Sequence, residues 1–318
     1  MQKFNVVISF LFYLSLNAQE PNTFGSLLYK EVTANVETEP VFAGDDAADD
    51  MCILENLNSP EKSLIISSDK KYGIIVYDLD GVKLYDYEVG RINNVDILPS
   101  RSIQNKYIVA GTNRTYNSID IYLFNSKGKL ENLILRKEIP SLKDVYGVTF
   151  YRDEFNTYLF ISDKKGNVEQ WSYNKDEFNS EIKFVRKLKF SSLVEGLVAD
   201  ESKGKIYIGQ ERKGIWELNA FPSLDSEKRL IFKKSKNFKP DFEGLALRDD
   251  GNGEGYLIAS VQGSNGYLII DRKSLDAKIF FRIIDGDIID GTTETDGIDV
   301  TSIKTPKFPN GFFIAQDD

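Results

Sequence analysis

The sequence predicts an all-β fold, a six-bladed β-propeller whose last blade is incomplete at the C-terminus. Six units open alike: a polar residue, usually an acid followed by glycine, begins a short β-branched run, and a turn and further strand-like runs follow. The units start at Asp50, Asn94, Tyr146, Glu195, Glu243 and Asp296. Self-similarity at a period of about 50 residues indicates one supersecondary unit per repeat. A solenoid of strands is the alternative, but its period is usually shorter.

Each unit supplies several short strands. In unit four the runs Lys205 to Gly209 and Gly214 to Leu218 are rich in Ile, Tyr and Leu and are bounded by glycine-containing turns. Such runs suit partly buried strands and leave no room for a long helix. Four strands per unit make a blade, with a variable outer strand such as Lys83 to Tyr87. Radial repetition then buries both faces of each small sheet against its neighbours.

The sixth unit is shorter than the others. After Asp296 it has only two strand-like runs, the second starting at Phe312, and the segment Leu27 to Ala34 is predicted to add one strand to that blade. An incomplete blade exposes an unpaired strand edge. We therefore interpret the sequence either as a truncated fragment or as a weakened form of a closed propeller.

The chain is expected to be a leader followed by one domain. Residues 1–18 are predicted to be a signal peptide, because Lys3 precedes an apolar run that ends near the small residue Ala18. Residues 19–318 form a single propeller domain, since no Pro/Ser-rich linker divides them and 41% hydrophobic content supports a sizeable core. The alternative reading of the leader, a membrane anchor, needs a longer apolar stretch. We expect a secreted or periplasmic protein.

The residues that are missing restrict the chemistry. There is no histidine, which excludes Ser/His/Asp hydrolysis, His-ligated zinc and an imidazole general base. The single cysteine, Cys52, lies in an apolar run without a following arginine-bearing phosphate loop, so we expect a small buried residue. A net charge of −9 and a pI of about 4.9 argue against nucleic acid as a partner. Carboxylates, Lys, Arg, Tyr and a hard metal remain as working groups.

Acidic residues recur at one position of the repeat. The first strand of a propeller blade lines the central channel, so Asp50, Glu195, Glu243 and Asp296 are expected to form a ring near one mouth. Clustered carboxylates persist only when they are protonated or share cations, and Ca²⁺ suits oxygen ligands best. The alternative is that acid-glycine pairs form turns on a solvated face. That reading is favoured for one isolated pair, but the phased set favours a metal site.

Basic residues recur at a second position of the repeat. Lys70 and Lys71 in unit one, Arg114 in unit two and Lys164 in unit three all fall in the turn after the second strand. Surface lysines are ordinarily only solubilising charges. Their repeated placement beside the acids predicts a mixed site for a polyanion. Because a net charge of −9 repels a bare anion, the ligand is expected as its calcium salt.

Eleven segments carry a resemblance to a known family. They are Glu37 to Pro40, Asp46 to Asp50, Lys70-Lys71, Asn93 to Asp96, Asn113-Arg114, Val145 to Gly147, Glu195-Gly196, Asp241 to Gly244, Gln262-Gly263, Thr295 to Val300 and Ala315 to Asp317. In this order they resemble the β-propeller phytases, six-bladed, calcium-dependent enzymes that remove phosphates from myo-inositol hexakisphosphate. The resemblance covers Glu37 to Asp317.

The resemblance implies a function and residue roles. It implies a monomeric 3-phytase, a phosphoric monoester hydrolase that acts on phytate or its calcium salt with several Ca²⁺ ions and without a membrane partner. The implied catalytic residues are Lys70, Glu195 and Glu243, and the implied phosphate-binding residues are Lys70, Lys71, Arg114 and Lys164. The implied ligands of the catalytic calcium ions are Glu37, Tyr146, Glu195, Glu211, Asp241, Glu243 and Asp290. Asp49, Asp50 and the Val95 carbonyl are implied to hold a structural calcium ion, and Asp317 is a further implied ligand.

Two other functions fit the same architecture. The first is a non-catalytic propeller that binds metal or a partner. The second is a calcium-dependent sugar lactonase, which does not need two lysine-bearing rims. This chain also has Met51 to Leu54 where the family usually has proline and then an apolar stretch ending in tryptophan. That departure bears on the structural calcium site.

Overall fold

The computed structural model describes residues 5–9, 23–41, 44, 46–174, 181–224, 227–234, 239 and 241–317. In this part of the chain the regular structure is β-strand, apart from three single 3-10 turns at Pro60–Lys62, Glu201–Lys203 and Gln262–Ser264. The all-β prediction is therefore confirmed. None of the described residues form a helix of the length and hydropathy that a bilayer crossing requires. Most of residues 1–18 lie outside the described residues, and the leader stays a prediction.

The strands are numbered in chain order. The N-terminal segment holds β1 (Asn5–Ser9), β2 (Thr23–Phe24), β3 (Leu27–Thr33) and β4 (Val36–Glu37). The first sheet consists of β5 (Ala48–Leu54), β6 (Leu64–Asp69), β7 (Gly73–Tyr77) and β8 (Lys83–Glu88). The second consists of β9 (Ile92–Pro99), β10 (Lys106–Asn113), β11 (Ser118–Asn125) and β12 (Leu130–Glu138). The third consists of β13 (Val145–Arg152), β14 (Thr157–Asp163), β15 (Asn167–Tyr173) and β16 (Ile182–Lys189). The fourth sheet consists of β17 (Val194–Asp200), β18 (Lys205–Gln210), β19 (Gly214–Asn219) and β20 (Arg229–Lys233). The fifth contains β21 (Phe242–Gly251), β22 (Glu254–Val261), β23 (Gly266–Asp271) and β24 (Ala277–Ile284). The last two strands are β25 (Ile298–Thr301) and β26 (Phe312–Gln316).

Five sheets are each built from four consecutive antiparallel strands, β5 to β8 and so on up to β21 to β24. Neighbouring sheets touch through their first strands, which surround the centre of the molecule. This arrangement is a β-propeller, and the predicted fold class is confirmed. A count of six blades is not confirmed, because the last unit contributes only β25 and β26 to its sheet.

The N-terminal strands join two different sheets. Strand β3 pairs in parallel with β24, with Leu28 opposite Ile279, and β2 extends the same sheet to six strands. The prediction that Leu27 to Ala34 completes the last blade is therefore wrong. An aromatic contact accompanies this docking, because Phe24 of β2 stacks on Phe280 with ring centroids 4.3 Å apart. Strands β1 and β4 instead follow β26 in the sheet that β25 begins.

Hydrophobic clusters fill the spaces between neighbouring sheets. Ile121 of the second sheet and Ile161 of the third, for example, belong to one buried cluster. Cys52 is 2% exposed and forms no disulfide, as expected. The guanidinium of Arg272 is fully buried between the fourth and fifth sheets, where it binds Asp200 and Asp249, each at 2.6 Å. The blades are held together by buried hydrophobic contacts and by the ion pairs of Arg272 with Asp200 and Asp249.

A bulge near the start of five inner strands sets the register of the site. In β5, β13, β17 and β21 the pairing shifts just after the first residue of the strand, and β9 shifts in the same place. Because a bulge adds one residue to a strand, the spacing of the sequence repeat does not locate the equivalent position in every blade. The equivalent positions are Asp49, Asn93, Tyr146, Glu195, Glu243 and Asp296, which we call the ring residues. The predicted unit starts Asp50 and Asn94 are therefore wrong by one residue.

Glycine follows four ring residues because adjacent inner strands come very close. A Cβ atom on Gly147 would lie 1.9 Å from the carbonyl oxygen of Glu195, and one on Gly196 would lie 1.9 Å from that of Glu243. The Gly244 N–H donates to the Asp296 carbonyl at 2.8 Å, and the Gly297 N–H donates to the Asp49 carbonyl at 2.9 Å. The acid-glycine pairs thus serve close strand packing and are not solvated turns.

Candidate active site

Three carboxyl groups converge at the ring. Glu195 and Glu243 come from β17 and β21, and Glu211 comes from the turn after β18. One oxygen of each lies within 4.8 Å of the others. Glu195 and Glu243 are nearly fully buried, at 3% and 5% exposure. The convergence follows from the repeat, because the same strand position in successive blades faces the same mouth of the channel.

The burial of these acids is electrostatically costly. Burial, followed by repulsion from Glu211 and Asp296, raises the pKa of Glu243 to about 8. Burial, and then Glu243 and Asp49, raise the pKa of Glu195 well above its ordinary range. The Glu243 Oε2 atom is buried without a hydrogen-bond partner among the described residues. A set of oxygen ligands with one orphaned atom fits a hard divalent cation.

Lys70 forms the bridge between the acids of the first and last units. Its Nζ lies 2.6 Å from Asp46 Oδ1, 2.9 Å from Asp49 Oδ1 and 3.5 Å from Asp296 Oδ2. Burial by itself lowers the pKa of Lys70, but the carboxylates of Asp49 and Asp296 outweigh it and the net shift is upward. Lys70 is therefore a fixed cation at neutral pH, and it can offer its charge to a phosphate oxygen.

Two further cations border the ring. The Arg114 Nη1 donates to Asn93 Oδ1 at 3.2 Å, while the Arg114 Nε is buried without a hydrogen-bond partner among the described residues. The Lys164 Nζ lies 4.6 Å above the Tyr146 ring centre. Burial, and then Glu195, raise the pKa of Tyr146, so its hydroxyl stays neutral. Lys71 points away from this group and donates to the Gly44 carbonyl at 3.1 Å.

The turns that carry these cations are built alike. The last residue of the preceding strand accepts a hydrogen bond from the backbone N–H two residues later, as in an Asx turn. Asp69 accepts from the Lys71 N–H at 2.9 Å, Asn113 accepts from the Thr115 N–H at 3.0 Å and Asp163 accepts from the Lys165 N–H at 2.9 Å. The residue in between is Lys70, Arg114 or Lys164. Each of these cations therefore projects from a fixed backbone.

Known proteins resemble this chain along most of its length. The model of the family described as Phytase matches residues 5–318. This chain belongs to the phytase family. The 3-phytase of Bacillus subtilis (strain 168) is 39% identical over 301 residues, which make up 90% of this chain and 78% of that relative. The prediction of an enzyme of the 3-phytase kind, a phosphoric monoester hydrolase, is confirmed.

Two solved structures share the fold at 11% sequence identity. A functionally unknown protein from Desulfotomaculum acetoxidans DSM 771 has a TM-score of 0.52 and aligns over 78% of this chain and 74% of its own. The β-propeller domain of Cps50 (Swd1) from Myceliophteria thermophila has a TM-score of 0.50 and aligns over 90% and 86%. At this identity the two structures support the fold of the phytase and nothing further.

The remaining predicted ligands of this phytase do not all join the cluster of three. Glu37 lies near Asp290, since repulsion from Asp290 adds to burial in raising the pKa of Glu37. Asp241 lies near Glu211, because it contributes, after burial, to the raised pKa of that residue. Asp317 accepts a hydrogen bond from the Thr293 N–H at 2.7 Å. Glu37 and Asp290 are therefore neighbours, Asp241 adjoins the cluster of three, and Asp317 is placed by its contact with Thr293.

The residues implied for the structural metal of the phytase face different partners. The Asp49 carboxylate points at the ring, where it accepts hydrogen bonds from Lys70 and Asn93. The Asp50 carboxylate accepts from Asn94 Nδ2 and from the Val95 N–H, both at 3.1 Å. The two carboxylates therefore have different donors, although they are close enough for Asp49 to add, after burial, to the raised pKa of Asp50. The three-residue calcium site stays a prediction.

Asn93 and Asp46 contact residues of the candidate site, although the sequence assigned no role to either of them. Asn93 is an amide at a ring position that otherwise carries mostly acids, and the shifted register hid it. Asp46 reaches Lys70 from the loop before β5. Asp296 had been placed at the ring by the repeat alone, and its contact with Lys70 adds it to the site. Because Asn94 and not glycine follows Asn93, the acid-glycine signal could not locate it.

Proposed function

We propose that this chain hydrolyses phosphate monoesters of phytate with calcium ions held by the ring carboxylates. The observation that carries the proposal is the orphaned, buried Glu243 Oε2 beside Glu195 and Glu211, within reach of three cationic turns. Membership of the phytase family and the 39% identical 3-phytase of Bacillus subtilis support phytate as substrate. Calcium is supported by the donor set, which offers oxygen ligands only.

Each group of the chain has a distinct part in this mechanism. Glu195, Glu211 and Glu243 would hold the metal, and Tyr146 borders it as a neutral hydroxyl. When bound, Ca²⁺ supplies charge neutralisation for the phosphate and lowers the pKa of a coordinated water. Lys70 stabilises the negative charge that develops on the phosphate oxygens, because its ammonium is already fixed by three aspartates. No histidine is needed for these roles.

Because the cations are spread over three blades, the site suits a substrate that carries several phosphates. Lys70, Arg114 and Lys164 project from turns of three successive blades. One phosphate held at the metal leaves a neighbouring phosphate within the same basic border, which raises affinity through multivalency. The net charge of −9 disfavours a free polyanion, so we propose that the enzyme takes phytate as its calcium salt.

A phosphate-release assay tests the proposal. Phytate is incubated with the purified full chain in Ca²⁺, in EDTA, and in EDTA followed by excess Ca²⁺. We expect release only when Ca²⁺ is present, and a loss of at least about 100-fold in Glu195→Gln, which keeps shape but removes a ligand charge. Glu131→Gln, on the outer strand β12, is the matched control and should behave as wild type. Release that is insensitive to EDTA contradicts the proposal.

The same assay separates the alternative functions. A wild-type chain that gains thermal stability from Ca²⁺ but releases no phosphate would be a non-catalytic metal-binding propeller. Hydrolysis of sugar lactones without phosphate release would identify the lactonase. No contact at the site favours either alternative, whereas the three cationic turns favour a phosphorylated substrate.

We also propose a closed ring of six blades. Strands β25 and β26 pair with each other, and backbone hydrogen bonds from Gly244 to Asp296 and from Gly297 to Asp49 link the last unit to both neighbours. None of these contacts involves β1, which cleavage of the proposed leader would remove. These links support the last unit as a sixth blade. Limited proteolysis tests this, because a closed ring should resist cleavage between β25 and β26. Rapid cleavage there, with the other sheets intact, contradicts closure.

Export remains a proposal that rests on the sequence alone. Cleavage after Ala18 would remove β1, which lies between β26 and β4. The intact mass of the protein recovered from the medium or periplasm decides the matter. A mass that corresponds to a chain beginning at Gln19 supports export, and a mass that includes residues 1–18 contradicts it. Size-exclusion chromatography with light scattering tests the expected monomer.

A further inference from the structure

We propose that Asn93 is a positioning residue that couples the Arg114 guanidinium to the carboxylates of Asp49 and Glu195. The proposal rests on the proposed function and adds to it a residue that touches neither the reacting phosphate nor the metal. Asn93 occupies the ring position of β9 and has no exposed surface. It is the only ring residue with a side-chain amide.

The amide has a partner on each side. Its Nδ2 lies 2.6 Å from Asp49 Oδ2, 3.2 Å from Glu195 Oε1 and 2.9 Å from Asn94 Oδ1. Its Oδ1 accepts from the Arg114 Nη1 at 3.2 Å. The carboxylates need a donor and the guanidinium needs an acceptor, so this network fixes the orientation of the amide. Asn93 therefore connects three blades, with the two hydrogens of its Nδ2 shared among three acceptor oxygens.

An amide suits this position better than an acid or an apolar residue. A fifth ring carboxylate would repel Asp49 and Glu195, whose pKa values burial already raises. An apolar residue would leave buried oxygens without a donor, which is expensive. The amide is neutral, and it donates to the acids with one end while it accepts from the cation with the other.

The coupling has a consequence for Arg114. Because Asn93 engages Nη1, the guanidinium cannot rotate freely towards the ring carboxylates. Its Nε is left buried and without a hydrogen-bond partner among the described residues. Asn93 thus keeps Arg114 out of an ion pair with Asp49 or Glu195, and it keeps the arginine available to an anion.

Asn93→Ala tests the proposal by two readouts besides turnover. Removing the amide should raise KM for phytate about tenfold, because charge-assisted hydrogen bonds are involved, and should lower kcat less. Calorimetry with inorganic phosphate in saturating Ca²⁺ should show affinity reduced by a similar factor. The Ca²⁺-induced rise in melting temperature, measured without any anion, should also shrink because Asp49 and Glu195 lose a shared donor.

A double-mutant cycle with Arg114→Ala isolates the coupling. If Asn93 acts through Arg114, the loss of phosphate affinity in the double variant equals that of Arg114→Ala alone. Additive losses overturn the proposal. Asn125→Ala is the control, since Asn125 lies in the same blade at the end of β11 away from the ring, where it accepts hydrogen bonds from the Lys127 and Lys129 N–H groups. It should lower the melting temperature without changing KM or phosphate affinity.

Asn93→Ser covers the case in which the alanine variant does not fold. A hydroxyl retains one hydrogen bond but cannot span both sides, so phosphate affinity should fall to an intermediate value. Wild-type affinity in a folded Asn93→Ser or Asn93→Ala variant overturns the proposal. If the wild type binds phosphate but releases none from phytate, only the proposed function fails. If the wild type does not bind phosphate at all, both proposals fail.

Discussion

The buried glutamates Glu195 and Glu243 lower the stability of the folded protein but provide ligands for a cation. Both side chains are nearly fully buried and repel each other and Glu211. In the absence of a cation, that repulsion destabilises the folded state, because the unfolded chain separates and hydrates the charges. The same arrangement gives a cation a prepared set of ligands. Stability is thus lower wherever the metal is missing.

Glu243→Gln should therefore stabilise the metal-free protein. The substitution keeps the shape and removes one buried charge, so in EDTA at pH 9 we expect an increase of about 1–2 kcal/mol in the free energy of unfolding. The stabilisation by Ca²⁺ and phosphate release should both be lost. Urea unfolding with and without Ca²⁺ measures this. A variant that is less stable than wild type in EDTA would show that the acids do not repel one another.

Asp299 gives a separate pH dependence, away from the ring. Burial, opposed by hydrogen bonds from the Val300 and Ile53 N–H groups at 2.7 and 2.8 Å, raises its pKa to about 7. Between about pH 4 and pH 7 the folded state holds a proton that the unfolded state has lost. The contribution of Asp299 to the free energy of unfolding is therefore greatest at acidic pH, and it is lost as the pH rises through 7.

Asp299→Asn removes that titration. Relative to wild type, the variant should gain about 2 kcal/mol in unfolding free energy between pH 5 and pH 8, because only the wild type loses a proton. Urea midpoints in EDTA across this pH range give the difference. Asp276→Asn, on an exposed turn, is the control. Parallel pH profiles for wild type and Asp299→Asn would show that Asp299 stays charged throughout.

At the scale of secondary-structure elements, the inner strands depend on glycine at fixed places. Ser68, Ser162 and Ser260 add hydroxyl links to a carbonyl of the next blade, for example Ser162 Oγ to the Val194 oxygen at 2.8 Å. Where glycine follows the ring residue, as at Gly147 and Gly244, the missing side chain lets the strands come this close. The bulge then turns the ring side chain towards the channel mouth.

Gly196→Ala tests this dependence. Its new Cβ would lie 1.9 Å from the backbone oxygen of Glu243, so β17 and β21 must separate. We expect a loss of about 3 kcal/mol in stability and weaker Ca²⁺ binding. In Gly209→Ala the nearest atom would be 3.2 Å away, and the loss should be smaller. Thermal melts with and without Ca²⁺ compare the two, and equal losses contradict the argument.

The strands were largely predictable, but their register was not. β-branched runs such as Leu64–Asp69 and Lys205–Gln210 indicated strands at the observed places, because strand propensity and burial are local properties. The one-residue error at Asp49 and Asn93 arose because a bulge has no local sequence signature. The docking of β3 could not be predicted either, since its partner β24 lies far along the chain.

At the scale of the whole molecule, the site depends on the ring of blades. Its residues come from the first unit, with Asp49 and Lys70, through to the last, with Asp296. A ligand that binds between blades therefore stabilises their mutual arrangement and not one element alone. This makes stability of the entire propeller a readout of metal binding.

Calcium should raise the melting temperature in a saturable manner. At a concentration of about 100 times Kd the free energy of unfolding should rise by about 3 kcal/mol, and EDTA should reverse it. Mg²⁺ should act more weakly, because it demands a smaller octahedral site. KCl at matched ionic strength controls for simple screening of the acids. An equal effect of KCl and CaCl₂ would contradict a specific metal site.

The parallel pairing of β3 with β24 has a consequence for biosynthesis. Segment Leu27–Thr33 leaves the ribosome early, whereas its partner Ala277–Ile284 is translated some 250 residues later. At typical translation speeds of about 5–20 residues per second, the early segment waits tens of seconds with its backbone unpaired. Vectorial folding can complete the middle blades first, but this strand can only dock when the nascent chain is nearly finished.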